Sequence, residues 1–209
     1  MKQNSEYFLT PLSFLVKDIQ SLRLDSKNIK NIPPYFKYLS NVKELYLNGN
    51  SIATLDNVPL NVVLLSLNYN GIYKMLNFNR FTKISRLFLS RNQLQELPEG
   101  SLPCTLLSLD LSFNSLNNLE RTCQVLSSLQ KLRVLCLQGN FFSLCKIYRD
   151  YVCSKIKSLS FLDDIEVNYS KLVPFDSEAT QIMNELQLEI TFSRLMNLNA
   201  RFSSDDNYE

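Results

Sequence analysis

Apolar residues recur along this chain in a fixed arrangement, unlike the continuous period of one long helix. Six segments share the order apolar-x-x-Leu-x-Leu, and their first residues are Ile19, Val42, Val62, Ile84, Leu106 and Leu132. Equivalent leucines lie 20 to 26 residues apart. In five of the segments an Asn follows the last Leu by three residues, and these are Asn50, Asn70, Asn92, Asn114 and Asn140. Self-similarity of this length indicates one supersecondary unit per repeat, which buries its core only against its neighbours.

The Leu-x-Leu core of each repeat predicts a short β-strand. Both leucines point to one face, the residue between them points to the other, and successive strands lie about 4.8 Å apart. Each of the five asparagines has an amino and a carbonyl group, so we predict a structural ladder that bonds backbone groups left unpaired by the turns. This is the pattern of leucine-rich repeats. It predicts an α/β leucine-rich-repeat solenoid with a curved parallel sheet on the concave side, and turns, 3₁₀ pieces and C-terminal helices on the convex side.

The repeats divide the chain into four predicted parts. Residues 1–18 form an N-terminal cap, 19–142 hold the six repeats, 143–167 form a helical C-terminal cap, and 168–209 are a C-terminal extension. Caps are needed because an open solenoid exposes its core and a strand edge. In the extension, the alternation over 186–192 fits a strand or a continued helix, and both assignments stay open.

Two helices are predicted outside the strands. One lies between Leu116 and Lys131, and the other covers 144–156 in the C-terminal cap. The polar end, 203–209, is predicted to be disordered. In the first helix the apolar positions at helical spacing are Leu119, Cys123, Leu126 and Leu129.

The concave face is the predicted partner-binding surface, because the side chains between core leucines project there. Aromatic and Arg side chains are concentrated at these positions and next to them, which is the composition of interface hot spots. A peptide or helix in this groove would place its carboxylates on Arg23, Arg86 or Arg91. The groove holds either a partner or residues 168–209, and the sequence leaves both open. The predicted partner-binding residues are Arg23, Glu44, Tyr46, Leu64, Tyr69, Arg86, Phe88, Arg91, Asp110 and Phe113.

The composition narrows the chemistry that this surface performs. The chain has no His and only four Gly. A His-activated nucleophile, a His-containing zinc site and a glycine-rich phosphate loop are therefore not expected. We predict no catalytic residue, no cofactor, no metal site and no small-molecule substrate. The formal net charge of +2 argues against direct nucleic-acid binding, and no apolar run is long enough to span a membrane.

The cysteines, an acidic pair and a basic cluster have plain structural explanations. Five Cys without a C-x-x-C pair indicate reduced thiols in the cytoplasm, and we expect no secretory signal, because Pro11 interrupts the first apolar stretch. Asp163 and Asp164 are predicted to form a turn or helix cap, since adjacent strand residues face opposite ways. A solvated helix face explains one basic set better than a contact with acidic tubulin or RNA, and that set is Lys146, Arg149, Lys155 and Lys157.

Several stretches near the end of the repeats resemble known proteins. Tyr148–Val152 and Leu159–Asp164 resemble the C-terminal cap of an intracellular subclass of leucine-rich repeats. That subclass includes the Sds22-like phosphatase regulators, the spliceosomal A-prime subunit and the axonemal dynein light chain built of these repeats. A narrower resemblance is carried by Leu107–Asn114, Leu132–Asn140 and the helix-bearing spacer between them. These are similar to the family of leucine-rich-repeat-containing protein forty-three.

The narrower resemblance implies a non-catalytic scaffold of the cilium or flagellum. Such a protein would be a structural component of the axoneme, associated with radial spokes or doublet microtubules. Its partners would be other axonemal proteins, and its location cytoplasmic and cytoskeletal. The broader subclass leaves two alternatives open. One is an Sds22-like phosphatase regulatory subunit, and the other is an A-prime-like ribonucleoprotein scaffold that holds an RNA-binding partner.

Overall fold

The computed structural model describes residues 18–172, and within them the six Leu-x-Leu segments each contain a strand. The strands pair in parallel in chain order, and the core leucines stand in register from Leu22 to Leu135. The predicted leucine-rich-repeat solenoid is confirmed. The strands are β1 Ser21–Arg23, β2 Glu44–Tyr46, β3 Leu64–Ser66, β4 Arg86–Phe88, β5 Ser108–Asp110 and β6 Val134–Cys136.

The core is one continuous stack that runs the length of the solenoid. In each repeat from the second to the sixth, both leucines of the Leu-x-Leu core are completely buried. Since each coil contributes only one layer, a leucine is covered by the equivalent leucines of the coils before and after it. Side chains that follow the asparagines complete each layer, and these are Ile52, Ile72, Leu94, Leu116 and Phe142.

The return segments between strands are mostly turns, with one 3₁₀ helix at Pro34–Tyr38 and one α-helix, α1, at Leu119–Ser127. The position of α1 matches the prediction. Asn118 begins it, because its Oδ1 accepts a hydrogen bond from the backbone N–H of Arg121 at 2.8 Å. The buried face of α1 includes Cys123, which agrees with a structural thiol.

The C-terminal end of the solenoid is closed by α2, Tyr148–Lys155, between 3₁₀ helices at Phe141–Leu144 and Tyr169–Lys171. A hairpin follows α2, in which β7, Phe161–Leu162, pairs in parallel with β6, and β8, Ile165–Glu166, pairs antiparallel with β7.

The turn of this hairpin consists of Asp163 and Asp164, whose φ angles are 49° and 63°. Positive φ at both central residues is typical of the two-residue hairpin turns whose twist matches that of the flanking strands. The predicted turn role of the acidic pair is confirmed, although the strand that follows it was not predicted.

Arg149 corrects the prediction of a fully solvated basic face on α2. Its Nη1 donates to the carbonyl of Leu162 at 2.8 Å, and its Nη2 donates to the carbonyls of Ile165 and Glu166 at 2.9 and 3.0 Å. This half-buried guanidinium therefore ties the hairpin to α2. It satisfies carbonyl groups at the end of the sheet, where no further coil follows in the described chain.

The described residues cover only some of the predicted parts of the chain. Residues 1–17 of the N-terminal cap and 173–209 of the extension lie outside, together with the open assignment at 186–192 and the polar end at 203–209. Across 18–172, no helix has the length and apolar character needed to cross a membrane.

Candidate partner-binding face

A group of three side chains, the central cluster, occupies the middle of the concave face: Tyr46, Leu64 and Phe88. Glu44 and Arg86 flank Leu64 on the neighbouring strands, in register with it. Their side chains meet across it, with Arg86 Nη2 3.2 Å from Glu44 Oε1, and Leu64 is only 4% exposed. The ion pair therefore closes over an apolar side chain, and Arg86 already has a carboxylate partner within the chain.

Arg23 is also engaged within the sheet. Its guanidinium carbon lies 4.0 Å from the ring centroid of Tyr46, and its Nη1 lies 3.0 Å from Asp25 Oδ2. The hydroxyl of Tyr46 in turn donates to Glu44 at 3.3 Å. These contacts form one connected network of side chains in or next to β1, β2 and β4. They orient the aromatic ring of Tyr46, although exposed ion pairs of this kind stabilise the fold little.

Asp110 has a local structural role. Its Oδ1 accepts hydrogen bonds from the backbone N–H of Ser112 at 2.9 Å and from its hydroxyl at 2.6 Å. The Cys136 side chain stands on the neighbouring strand in register with Asp110. Burial and the nearby carboxylates of Asp110, Asp164 and Asp163 raise the pKa of the Cys136 thiol to about 12. The thiol is therefore protonated at neutral pH and is a poor nucleophile.

A second polar ladder, which was not predicted, runs along the concave face from Asp25 through Asn48 and Asn68. The backbone N–H of Asn48 donates to Asp25 Oδ1 at 2.8 Å, that of Asn68 donates to Asn48 Oδ1 at 2.9 Å, and that of Ser90 donates to Asn68 Oδ1 at 2.8 Å. The sequence signal for this ladder is the polar residue that directly follows the last core leucine in every repeat. Each of these side chains joins one coil to the next, so the ladder is structural.

The asparagines after each strand form the buried ladder at the inner corner. Asn92 Oδ1 accepts from the backbone N–H groups of Asn70 and Ile72, both at 3.0 Å, and its Nδ2 donates to the carbonyls of Leu67 and Leu89 at 3.0 and 2.9 Å. Each of the others also joins two coils. Their side-chain amides all donate to a carbonyl of the preceding coil, and they are Asn50, Asn70, Asn114 and Asn140.

Three predicted binding residues lie together along the carboxyl edge of the sheet, at equivalent places in consecutive coils. They are Tyr69, Arg91 and Phe113, which we call the edge row. All three have positive φ, at 56°, 54° and 52°. The guanidinium carbon of Arg91 lies 5.3 Å from the ring centroid of Tyr69 and 4.3 Å from that of Phe113. The rings remain 57% and 43% exposed, so an arginine is stacked between two aromatic side chains that face solvent.

Nine of the ten predicted binding residues thus fall into two zones, and Asp110 lies apart from both. One zone is the central cluster with Arg23, Glu44 and Arg86 around it, and the other is the edge row. The central cluster is half-closed by its own ion pair, whereas the edge row is open. Between residues 18 and 172 no three His, Cys, Asp or Glu side chains are grouped so as to hold a metal ion. The exposed groups of both zones are aromatic rings and charged or polar side chains, which suit contact with another protein.

The geometry defines a leucine-rich-repeat solenoid, and comparison with known proteins agrees. The leucine-rich repeat family model matches residues 21–173, and the chain belongs to this family. It is similar to leucine-rich repeat-containing protein 43 of Mus musculus, with 34% identity over 166 residues that make up 75% of this chain and 25% of that protein. The chain thus spans about a quarter of the length of that relative.

Two further comparisons concern the U2 small nuclear ribonucleoprotein A'. The Arabidopsis thaliana protein is 32% identical over 139 residues, which cover 64% of this chain and 55% of that one. The crystal structure of the Drosophila melanogaster SNF/U2A' complex contains a similar chain, with a TM-score of 0.53 and 22% identity, covering 79% of this chain and 87% of that chain. The structural likeness shows a shared fold.

Proposed function

We propose that this chain is a non-catalytic protein–protein interaction scaffold that binds its partner through the concave face and its carboxyl edge. One observation carries the proposal: the arginine side chains of the face and edge, and the rings of Tyr46, Tyr69 and Phe113, are held in place by ion pairs and ring contacts within the solenoid. Groups ordered in advance lose little conformational freedom on binding. Tyr, Arg and Phe are also the residue types enriched at interfaces.

We further propose that it works in the ciliary or flagellar axoneme, in a complex associated with radial spokes or doublet microtubules. The support is the similarity to leucine-rich repeat-containing protein 43, together with the cap and spacer motifs that resemble that family. Its partners would be other axonemal proteins. In this role the stacked coils supply a rigid curved surface and perform no reaction.

The binding proposal is tested by truncating the central cluster in the full chain. Tyr46→Ala combined with Phe88→Ala removes both aromatic rings, and we expect capture of axonemal proteins to fall at least about tenfold, the loss typical of hot-spot residues. Tyr38→Ala is the matched control, because Tyr38 is an aromatic residue 63% exposed in the 3₁₀ helix of a return segment. Unchanged capture by the folded double variant would exclude the central cluster.

Charge reversal separates recognition from folding. Arg86→Glu alone sets a second carboxylate beside Glu44 and destabilises the sheet locally. Arg86→Glu together with Glu44→Arg restores the ion pair with its polarity exchanged. We expect the double exchange to unfold at nearly the normal temperature. It would nevertheless bind the partner more weakly, because the charge pattern offered to the partner is reversed.

The location of the protein is tested by fluorescence of a tagged copy in a ciliated cell. Signal along the axoneme, with radial-spoke proteins in the precipitate, is the expected result. A ribonucleoprotein scaffold is the second candidate, favoured by the 32% identity to the U2 small nuclear ribonucleoprotein A' of Arabidopsis thaliana. Nuclear signal would overturn the axonemal proposal in its favour.

A further inference from the structure

The edge row differs from the rest of the face in the contacts that its arginine makes. Arg23 is paired with Asp25, and Arg86 with Glu44. Arg91 makes no ion pair and no side-chain hydrogen bond with any residue between 18 and 172. Among the arginines of this face and edge that the structure describes, Arg91 is therefore the one whose charge has no carboxylate partner.

The rings of Tyr69 and Phe113 restrict the directions from which a ligand can approach the guanidinium group of Arg91. The guanidinium group is planar, with its N–H donors on the rim and none on its faces. The guanidinium carbon lies 5.3 Å from the ring centroid of Tyr69 and 4.3 Å from that of Phe113. The two rings thus flank the group, and a ligand reaches the N–H donors that they leave exposed. Rim donors match the two oxygens of a carboxylate, which accepts two parallel hydrogen bonds from one guanidinium.

Glycines bound the edge row on both sides. Gly139 occupies the equivalent place in the coil after Phe113, and a Cβ there would lie 2.5 Å from Phe113 Cδ1. The Phe113 ring thus rests directly on the backbone of Gly139. On the other side the equivalent residue is Gly49, where a Cβ would lie 2.8 Å from the hydroxyl of Ser26. The Phe113 end of the row is therefore supported by backbone, whereas Tyr69 at the other end is 57% exposed and has room for a second contact.

We propose that the edge row is a docking site for a partner protein segment that presents an Asp or Glu side chain next to an apolar one. The carboxylate binds the N–H donors of Arg91, and the apolar side chain lies on the exposed ring of Tyr69. This deepens the proposed scaffold function and rests on it. The site has charge complementarity for a single carboxylate, since it offers one unpaired cation between two exposed rings.

A nucleic-acid strand fits this site less well. It carries a negative charge at every nucleotide, whereas the row provides one cation. On the concave face beside the row, the charges of Arg23 and Arg86 are offset by their ion pairs with Asp25 and Glu44. Asp110 adds a carboxylate there that no described cation pairs with, so this face offers a polyanion no excess of positive charge. A short acidic and apolar segment of protein avoids this repulsion because it places one charge at one position.

The test selects linear ten-residue peptides from a random phage-displayed library on the immobilised full chain. We expect enrichment of sequences with Asp or Glu adjacent to an aromatic or aliphatic residue. The enriched peptides are then synthesised with a fluorescent label, and their affinities are measured by anisotropy. Arg91→Gln should weaken binding roughly 10- to 100-fold, the loss of hydrogen bonds to a charged group.

Two variants distinguish a stacked, oriented arginine from a simple positive charge. Arg91→Lys keeps the charge and loses the planar rim, so its binding should stay close to that of Arg91→Gln. Gly139→Ala leaves all three row side chains intact but displaces Phe113, and binding should fall several-fold. Arg121→Gln is the matched control, because Arg121 is an exposed arginine 3.7 Å from Glu96 and outside the row. Circular dichroism and thermal unfolding of every variant report folding separately.

Enriched peptides without carboxylates, or equal binding by Arg91→Gln, would overturn the proposal. So would Arg91-dependent binding of a labelled 20-nucleotide single-stranded RNA that exceeds peptide binding. Displacement of the peptides by a synthetic peptide of residues 173–209 would assign the site to the chain itself, and a homodimer abolished by Arg91→Gln would assign it to a second copy. Peptide binding that persists in the Tyr46→Ala, Phe88→Ala protein is expected, and it separates this site from the central cluster.

Discussion

Asn92 offers the most direct measurement of what the asparagine ladder contributes to stability. In Asn92→Ala the backbone N–H groups of Asn70 and Ile72 lose their acceptor, and the carbonyl of Leu67 loses its donor. The carbonyl of Leu89 keeps a bond from the Asn114 amide at 2.9 Å. The substitution therefore leaves three buried backbone groups without partners.

The expected cost follows from those three groups. Each unsatisfied buried polar group costs about 1–3 kcal/mol. A water molecule that enters the polar gap left by the side chain recovers part of this, so the lower limit applies. The sum is about 3 kcal/mol, which corresponds to a fall in Tm of roughly 6–12 °C for a domain of this size.

Urea unfolding followed by far-ultraviolet circular dichroism measures this difference. Asn117→Ala is the matched control, because it removes the same side chain at an exposed position three residues after Asn114. We expect it to alter the free energy of unfolding by less than about 0.5 kcal/mol. A cost below about 1 kcal/mol for Asn92→Ala, or one equal to that of Asn117→Ala, would refute the assignment of the ladder as the support of the turns.

Three further predictions follow from other parts of the structure. Asn118→Ala removes the side chain that begins α1 and should cost about 1 kcal/mol in urea unfolding, whereas no loss would mean that tertiary packing alone sets the helix start. Burial and nearby carboxylates raise the pKa of the half-buried Cys136 to about 12. It should therefore be alkylated at pH 8 far more slowly than the exposed Cys104, as mass spectrometry of the modified peptides would show, and equal rates would contradict the raised pKa. Burial and Asp163 raise the pKa of Tyr148 above its ordinary value of 10, so the unfolded chain releases this proton first and stability should fall as the pH rises above about 10. Tyr148→Phe should make that fall shallower, and an unchanged slope would contradict it.

The sequence alone was sufficient for the repeats because their signal is local and redundant. Leu45, Leu65, Leu87 and Leu109 occur in the same short pattern, and that pattern has one way to bury itself, which is to stack coil on coil. The helix at 119–127 was also predictable, since its apolar spacing and its Asn118 cap lie within a few residues of each other. Properties that depend on neighbours in the chain were therefore determined by the sequence.

The tertiary structure decided which exposed side chains are already engaged. Arg86 and Glu44 are 42 residues apart, and their contact depends on side chains that reach across Leu64 from two strands. Arg91 is equally positive in the sequence but has aromatic neighbours in place of a carboxylate. The repeat places such residues side by side, whereas the conformations of the side chains determine whether a charge is neutralised or left open. This difference is decided by contacts between coils, because Arg86 and Glu44, like Arg91 and its two rings, belong to different repeats.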